Sequence, residues 1–193
     1  MIKKVGVIIF VILLSSCLAF KKDVWLNKFD VCCVVKPELL RDGGVIEFSD
    51  GYFQDRHVKT SFEYDVISGI KVRIYSTCLY LSEINWNDAV YTDEYGEKRR
   101  IIIKDNAIIS GKAPNITVVS PYNEVEITLI PVDKPYKKKG VWNYLFMLDE
   151  RIHPRKLLGR KTSLEFLFPC DDKIYSYTVN FKILPRYLDF EKR

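Results

Sequence analysis

The chain has 193 residues, 48% of them hydrophobic and 13% aromatic, and a formal net charge of +5 at pH 7. This composition excludes an intrinsically disordered protein, and the length suits one domain with a sizeable core. The positive charge is too small to indicate nucleic acid, and we expect no nucleic-acid partner.

The N-terminus reads as an export signal. Lys3 and Lys4 precede an apolar run over residues 5–14, which ends in the motif Leu14-Ser15-Ser16-Cys17. The run is shorter than the roughly 20 residues that a helix needs to cross a bilayer. A basic start and a short apolar core are typical of a secretory signal peptide.

The motif at residues 14–17 resembles the lipobox of bacterial lipoproteins. The resemblance implies a signal peptide at residues 1–16, lipidation of Cys17, and an acylated tether over residues 17–28. Two or three acyl chains give a durable membrane anchor. Leu18 stands where an aspartate favours retention at the inner membrane, which implies an outer-membrane location in a Gram-negative host. The alternative is an ordinary signal peptide that is cleaved nearby.

Beyond the tether, short β-rich runs alternate with turn signals. "DVCCVV" is predicted to end as a strand at Lys36-Pro37, and "GVIEFSDG" lies between two glycine-containing turns. In "IKVRIYSTCLYL" the period of two places Val72, Ile74, Cys78 and Tyr80 on one face.

The same alternation continues toward the C-terminus. It recurs in "EVEITLIPV" and in "IYSYTVNFKIL", which is predicted to end at Pro185, while "DERIHPRKLLGRK" has room for one helical turn closed by Gly159. We predict an all-β domain over residues 29–185 and a tail over 186–193. About eight to ten strands indicate an antiparallel β-sandwich of immunoglobulin-like or transthyretin-like topology.

Four cysteines other than Cys17 are candidates for disulfide bonds in an oxidising compartment: Cys32, Cys33, Cys78 and Cys170. Three connectivities are open. Adjacent residues of a strand point to opposite faces, so Cys32 and Cys33 are not expected to bond each other. We expect one of these two to pair with Cys78 or Cys170.

Two segments are candidate binding surfaces. Residues 82–100 carry Trp86, Tyr91 and Tyr95, which suit an interaction surface or, equally, packing across an end of the sandwich. Residues 134–142 are predicted to form a hairpin tip or a long connection. Its lysines suit anionic lipid headgroups, lipopolysaccharide phosphates or an acidic partner, or merely protect an edge strand. The candidate residues in this basic segment are Tyr136, Lys137, Lys138, Lys139 and Trp142.

Residues that would carry chemistry are scarce. No nucleophile motif, zinc motif or glycine-rich phosphate loop is present, and His57 and His153 are isolated surface histidines in this interpretation. Asp171 and Asp172 are predicted to form a turn at a hairpin tip, since aspartate tolerates turn geometry. We expect no enzyme activity, no cofactor and no metal site.

Three further resemblances concern function. "LFPCDDKIYSYTVNF" is similar to a strand pattern of lysozyme-inhibitor lipoproteins, and the plan of a lipobox followed by a β domain resembles immunity lipoproteins associated with type VI secretion. "VWNYLFMLDERIHPRKLLGRKTSLEFLF" resembles the last hairpin of periplasmic copper chaperones. Met147 and His153 are too few ligands for that family's copper function.

The sequence therefore predicts a lipoprotein of the cell envelope that is bound to a membrane through its N-terminal lipid. It is expected to act as a non-catalytic module that binds a protein or another envelope partner. The alternatives are a periplasmic inhibitor or immunity lipoprotein and, from another class, an enzyme or a metal carrier.

Overall fold

The computed structural model describes residues 28–30, 33–66, 68–104, 115–132, 137–138, 141–142 and 153–186. The larger of two compact units holds the described residues from 35 to 142 and from 159 to 182, and the smaller unit holds the others. Several predictions fall outside the described residues. They are the signal peptide, the lipidation of Cys17, the tether up to residue 27, Cys32, Tyr136, Lys139 and the tail from residue 187.

Of the described residues, 65% lie in β-strands and almost none are helical. The strands are β1 Cys33–Arg41, β2 Gly44–Ile46, β3 Phe48–Ser49, β4 Tyr52–Gln54, β5 Val58–Asp65, β6 Gly69–Ser76, β7 Ser82–Asn85, β8 Val90–Thr92, β9 Lys98–Ile103, β10 Ile116–Val119, β11 Glu124–Val132, β12 Lys137–Lys138, β13 Val141–Trp142, β14 Lys161–Cys170 and β15 Lys173–Pro185.

One antiparallel sheet of 11 strands dominates, in the order β2-β1-β15-β14-β8-β9-β11-β6-β5-β4-β3. Its two edge strands, β2 and β3, are separated in the chain by Glu47 alone, so the sheet nearly closes on itself. Two small sheets pair β10 with β7 and β12 with β13. The predicted all-β class is confirmed, and no helix among these residues is long and apolar enough to cross a membrane.

Alternating side chains explain the buried face of the sheet. In β15 the predicted inward set is confirmed, since Tyr177, Val179 and Phe181 are buried while their neighbours are less so. Strand β6 buries Val72 and Ile74 in the same way. A strand that turns one face to a core needs this period of two, which is why these strands could be recognised from the sequence.

Two strand predictions need correction. Strand β1 does not end at Lys36-Pro37 but continues to Arg41. Proline is tolerated there because β2 pairs with β1 only from Leu39 onward, so the amide proton that Pro37 lacks is not needed for that ladder. The described residues also form 15 strands, more than the eight to ten predicted. Strands of two or three residues are too short to show alternation.

The smaller unit contains the predicted helical turn. It is a 3₁₀ turn over Pro154–Leu157, and it buries Leu157. The Cys33 sulfur lies 3.6 Å from the carbonyl oxygen of Pro154, and Arg186 Nε donates to the carbonyl oxygen of Cys33 at 3.5 Å.

Candidate functional site

A disulfide bond ties together two connections at one end of the larger unit. It joins Cys78, in the loop between β6 and β7, to Cys170 at the end of β14, and the two residues are 92 apart in the chain. The prediction that one of these cysteines pairs with Cys32 or Cys33 is wrong. Antiparallel pairing across the sheet brings the end of β14 to the loop after β6, which sequence spacing does not reveal.

The turn between β14 and β15 holds the same loop by hydrogen bonds. Asp171 adopts a positive φ of 54°, which confirms the predicted turn. Its Oδ1 accepts hydrogen bonds from the backbone amides of Leu79, at 2.8 Å, and Tyr80, at 3.3 Å. The backbone that follows Cys78 is therefore held by the disulfide and by the Asp171 carboxylate.

This loop exposes three consecutive large apolar side chains. Leu79 is 65% exposed, Tyr80 67% and Leu81 61%, although the flanking Cys78 and Ser82 are buried. Ile174, just after the Asp171 turn, is 69% exposed. Adjacent apolar side chains are seldom left in water on a protein without a partner, so this arrangement points to an interaction surface.

A third connection adds another exposed aromatic ring. The turn between β10 and β11 is joined to β6 because the amide of Tyr122 donates to the Ser76 carbonyl at 2.9 Å and the Ser76 amide donates to the Asn123 carbonyl at 3.2 Å. Tyr122 itself is 60% exposed. We name the set of Leu79, Tyr80, Leu81, Tyr122 and Ile174 the apolar end.

His57 packs beside the disulfide and is not the isolated surface residue that the sequence predicted. Its ring stacks on Tyr175 with centroids 4.3 Å apart, and its Nδ1 lies 3.6 Å from the Cys170 sulfur. Arg56 Nε donates to His57 Nε2 at 3.0 Å, which requires the neutral form at that nitrogen. Burial lowers the pKa of His57; the Asp55 carboxylate opposes this shift and the charge of Arg56 adds to it.

The histidine and the sulfur do not form a nucleophile pair, because the Cys170 sulfur is already bonded to Cys78. The backbone of His57 instead supports the loop, since its carbonyl accepts from the Thr77 amide at 3.0 Å. Thr77 Oγ1 also donates to the Arg56 carbonyl at 2.7 Å. The turn before β5 is thus a fourth support for the apolar end.

Asp55 joins the strands on the two sides of the gap in the nearly closed sheet. Its Oδ2 accepts from Arg41 Nη1 at 2.7 Å and from the Tyr177 hydroxyl at 2.8 Å, while its Oδ1 accepts from the amides of His57, at 2.7 Å, and Val58, at 3.0 Å. Arg41 and Tyr177 lie on β1 and β15, whereas Asp55 lies between β4 and β5. We name Asp55, Arg41 and Tyr177 the closure network.

The closure network keeps its carboxylate ionised. Burial alone would raise the pKa of Asp55, but the hydrogen bonds from the His57 and Val58 amides, the Tyr177 hydroxyl and the charge of Arg41 outweigh it. The pKa of Asp55 consequently lies below its usual range. Burial and the neighbouring carboxylate raise the pKa of Tyr177, so its hydroxyl stays a donor.

Of the predicted aromatic binding residues, two belong to the core. Trp86 is fully buried and donates from Nε1 to Thr117 Oγ1 at 2.8 Å. Tyr91 is buried, with its hydroxyl 2.8 Å from that of Tyr64. Their interpretation as binding residues is corrected to the packing role that the sequence equally allowed. Ser82, Ile84 and Trp86 alternate along and beyond β7, and that period of two was the signal for burial.

Tyr95 remains on the surface, in the turn between β8 and β9, with the Arg160 guanidinium 5.2 Å from its ring centroid. Strand β8 pairs with β14 at Ser163, near the end of β14 that lies away from Cys170. Tyr95 is therefore at the opposite end of the unit from the apolar end.

Replacing Trp86 with phenylalanine should lower the free energy of unfolding by about 2 kcal/mol, because it removes a buried hydrogen bond and leaves a cavity. Urea denaturation followed by circular dichroism measures this loss, and Tyr95→Phe is the control with an exposed ring. An unchanged midpoint for Trp86→Phe would contradict the burial of Trp86 in the core.

In the basic segment, the backbone of β12 and β13 forms a hairpin. Lys137 pairs with Trp142 and Lys138 with Val141. This backbone arrangement agrees with the predicted hairpin.

The apolar end presents five large side chains that are exposed to solvent. The described residues contain no group of three or more histidine, cysteine, aspartate or glutamate residues that could hold a metal ion. The exposed residues of the apolar end were not predicted, because "CLYL" continues the alternation of β6 in the sequence. No protein family, curated protein or solved structure gives a match to the chain.

Proposed function

We propose that this protein is a lipid-anchored lipoprotein of the bacterial cell envelope that binds another protein through its apolar end and performs no catalysis. The lipid is attached at Cys17, and in a Gram-negative host the protein resides at the outer membrane. The observation that carries the binding function is the exposure of Leu79, Tyr80 and Leu81 on a backbone that is held by a disulfide.

Rigid support makes such a surface suitable for binding. A loop that is already ordered does not lose conformational freedom when a partner arrives, so more of the interaction energy appears as affinity. The disulfide, the Asp171 carboxylate and the His57 carbonyl all restrain the loop. Tyrosine and leucine then supply the apolar contact area, with the Tyr80 and Tyr122 hydroxyls available to a polar rim.

Cys17→Ala should abolish attachment of fatty acid. Cells that express the wild-type chain are expected to incorporate radiolabelled palmitate into it and to retain it in the membrane fraction. The variant should carry no label and keep its leader, because lipidation precedes cleavage in the lipoprotein class that the motif resembles. Label on the variant, or none on either protein, contradicts the anchor.

The double substitution Leu79→Ser/Leu81→Ser should abolish recovery of a stoichiometric partner from solubilised envelopes. Tyr95→Ser is the control, since Tyr95 is 49% exposed but lies at the opposite end of the unit. Equal recovery with all three proteins contradicts binding through the apolar end. Loss of recovery with Lys137, Lys138 and Lys139 changed to glutamate, and not with the serine pair, would assign the site to the basic segment.

An inhibitor or immunity lipoprotein is the form of this function that a preformed, protruding loop favours. Its partner would be a toxin or a hydrolase, and inhibition of the recovered partner would establish it. The sandwich architecture and the immunoglobulin-like or transthyretin-like topology also stay predictions. An experimental structure of the whole chain tests them.

A further inference from the structure

The two ring nitrogens of His57 both have partners, and this arrangement fits only the neutral ring. Arg56 Nε donates to Nε2 at 3.0 Å, so Nε2 carries no proton. The single proton of the neutral ring is then on Nδ1, which lies 3.6 Å from the Cys170 sulfur, a weak acceptor. A second proton, on Nε2, would face the N–H of Arg56 and find no acceptor there.

The surroundings of the ring also disfavour a positive charge on it. Burial of His57 is the largest cause of its lowered pKa, and the charges of Arg56 and Arg41 add to it. The ring stacks on Tyr175 with centroids 4.3 Å apart, and an aromatic face attracts a cation. The Arg41 guanidinium, however, already lies 5.8 Å from the centre of that same ring, so a charged His57 would be a second cation beside it.

Two carboxylates near the ring oppose this effect without reversing it. Asp55 and Asp171 each attract a charged His57 and act to raise its pKa. Asp55 already accepts four hydrogen bonds, one of them from the Arg41 guanidinium at 2.7 Å. Asp171 is exposed, so solvent screens its charge. A protonated His57 is therefore better accommodated in water than in its place against Tyr175.

The backbone of the same turn holds the start of the exposed loop. The His57 carbonyl accepts from the Thr77 amide at 3.0 Å, and the Arg56 carbonyl accepts from Thr77 Oγ1 at 2.7 Å. Thr77 adjoins Cys78, and the exposed residues Leu79–Leu81 follow directly. A movement of the His57 side chain out of its place is thus transmitted to the loop through two hydrogen bonds.

We propose that His57 is a pH switch of the apolar end: protonation of its ring withdraws it from Tyr175 and loosens the backbone that carries Leu79–Leu81. The pKa of His57 is lowered on folding, so the stability from the neutral ring is complete above about pH 6.5 and is lost as the pH falls through the folded value. Mild acid should therefore act on the loop while the disulfide stays intact.

Hydrogen–deuterium exchange of the full chain, purified in detergent, tests this switch. Mass spectrometry follows the segment over residues 77–81 from about pH 7.5 to about pH 5, with rates corrected for the intrinsic effect of pH. In the wild type, exchange in this segment should rise at least about 10-fold as the pH falls below about 6.5. In His57→Gln, whose side chain does not titrate, it should stay constant.

Two further variants locate the titrating group. Arg56→Met removes a positive charge and the donor that favours the neutral ring, so the pH at which exchange rises should move upward. His153→Gln changes the other histidine, which lies in the smaller unit, and should leave the wild-type profile unchanged.

Three results would overturn the proposal. Exchange that stays constant in the wild type would mean that the exposed Arg56 side chain simply turns into solvent when the ring is protonated. An equal rise in His57→Gln would assign the effect to another group, and so would an unmoved profile for Arg56→Met. The consequence for partner binding rests on the proposed function, but exchange is measured without a partner. A working switch in a chain that recovers no partner would contradict the proposed function alone.

Discussion

Replacement of both Cys78 and Cys170 with alanine is expected to lower the free energy of unfolding by about 4 to 5 kcal/mol. The bond joins residues that are 92 apart in the chain, and in the chain-entropy description a loop of that length adds stability of this size by restricting the unfolded state. The same change frees one side of the Leu79–Leu81 loop. Partner binding should therefore weaken together with stability.

Urea denaturation in the presence and absence of a thiol reductant measures the effect. The wild type should shift toward the double variant when reductant acts on the unfolded chain, and the variant should not respond. Because both sulfurs are buried in the folded protein, native protein should resist reduction at low denaturant concentration. Equal stability of the two proteins would contradict the expectation. It would mean that the contacts of Asp171 and His57 alone hold the loop in place.

The sequence could predict those strands whose alternation is visible over a long local run. Strand β15 was recognised because Tyr177, Val179 and Phe181 alternate over a long run that local sequence displays in full. Strand β7 was not predicted as a strand, because asparagine and aspartate surround Trp86. Packing against the sheet overrides those local preferences, as it commonly does for short strands.

The site depended on contacts between distant segments, which local patterns do not encode. Cys78 is buried in the same core as Val72, as predicted, but Tyr80 is exposed, because β6 ends at Ser76, whose backbone groups bond to the turn at residues 122–123. Beyond Ser76 the chain follows the disulfide and the Asp171 carboxylate, each supplied by a residue about ninety positions away. The exposure of Leu79 and Leu81 therefore required the sheet order.

The closure network shows the same dependence on topology. Arg41, Asp55 and Tyr177 are far apart in the sequence, and no motif relates them. The sheet order brings β1 and β15 to the gap on one side and the turn between β4 and β5 to the other. The carboxylate there accepts from two backbone and two side-chain donors, and it thereby links the two sides of the nearly closed sheet.

Asp55→Ala should consequently destabilise the protein by about 3 kcal/mol at neutral pH, because it leaves the Tyr177 hydroxyl and two amides without their acceptor and Arg41 without its counter-charge. Glu126→Ala is the matched control. Glu126 accepts from Arg73 Nε at the same 2.7 Å but is half-exposed, so its removal should cost far less. A double-mutant cycle with Arg41→Met should show coupling between Arg41 and Asp55.

The loss caused by Asp55→Ala should depend on pH in one direction. The pKa of Asp55 is lowered on folding, so the stability from its ionised form is complete above the unfolded value of about 3.9 and disappears as the pH falls through the folded value. The difference between wild type and variant should therefore persist from neutral pH down to about pH 5, and grow somewhat because loss of the carboxylate lowers the pKa of His57 further, before it falls at lower pH. Thermal denaturation across this range measures the difference. Convergence already near neutral pH would mean that the carboxylate is protonated in the folded protein and that closure of the sheet does not rely on its charge.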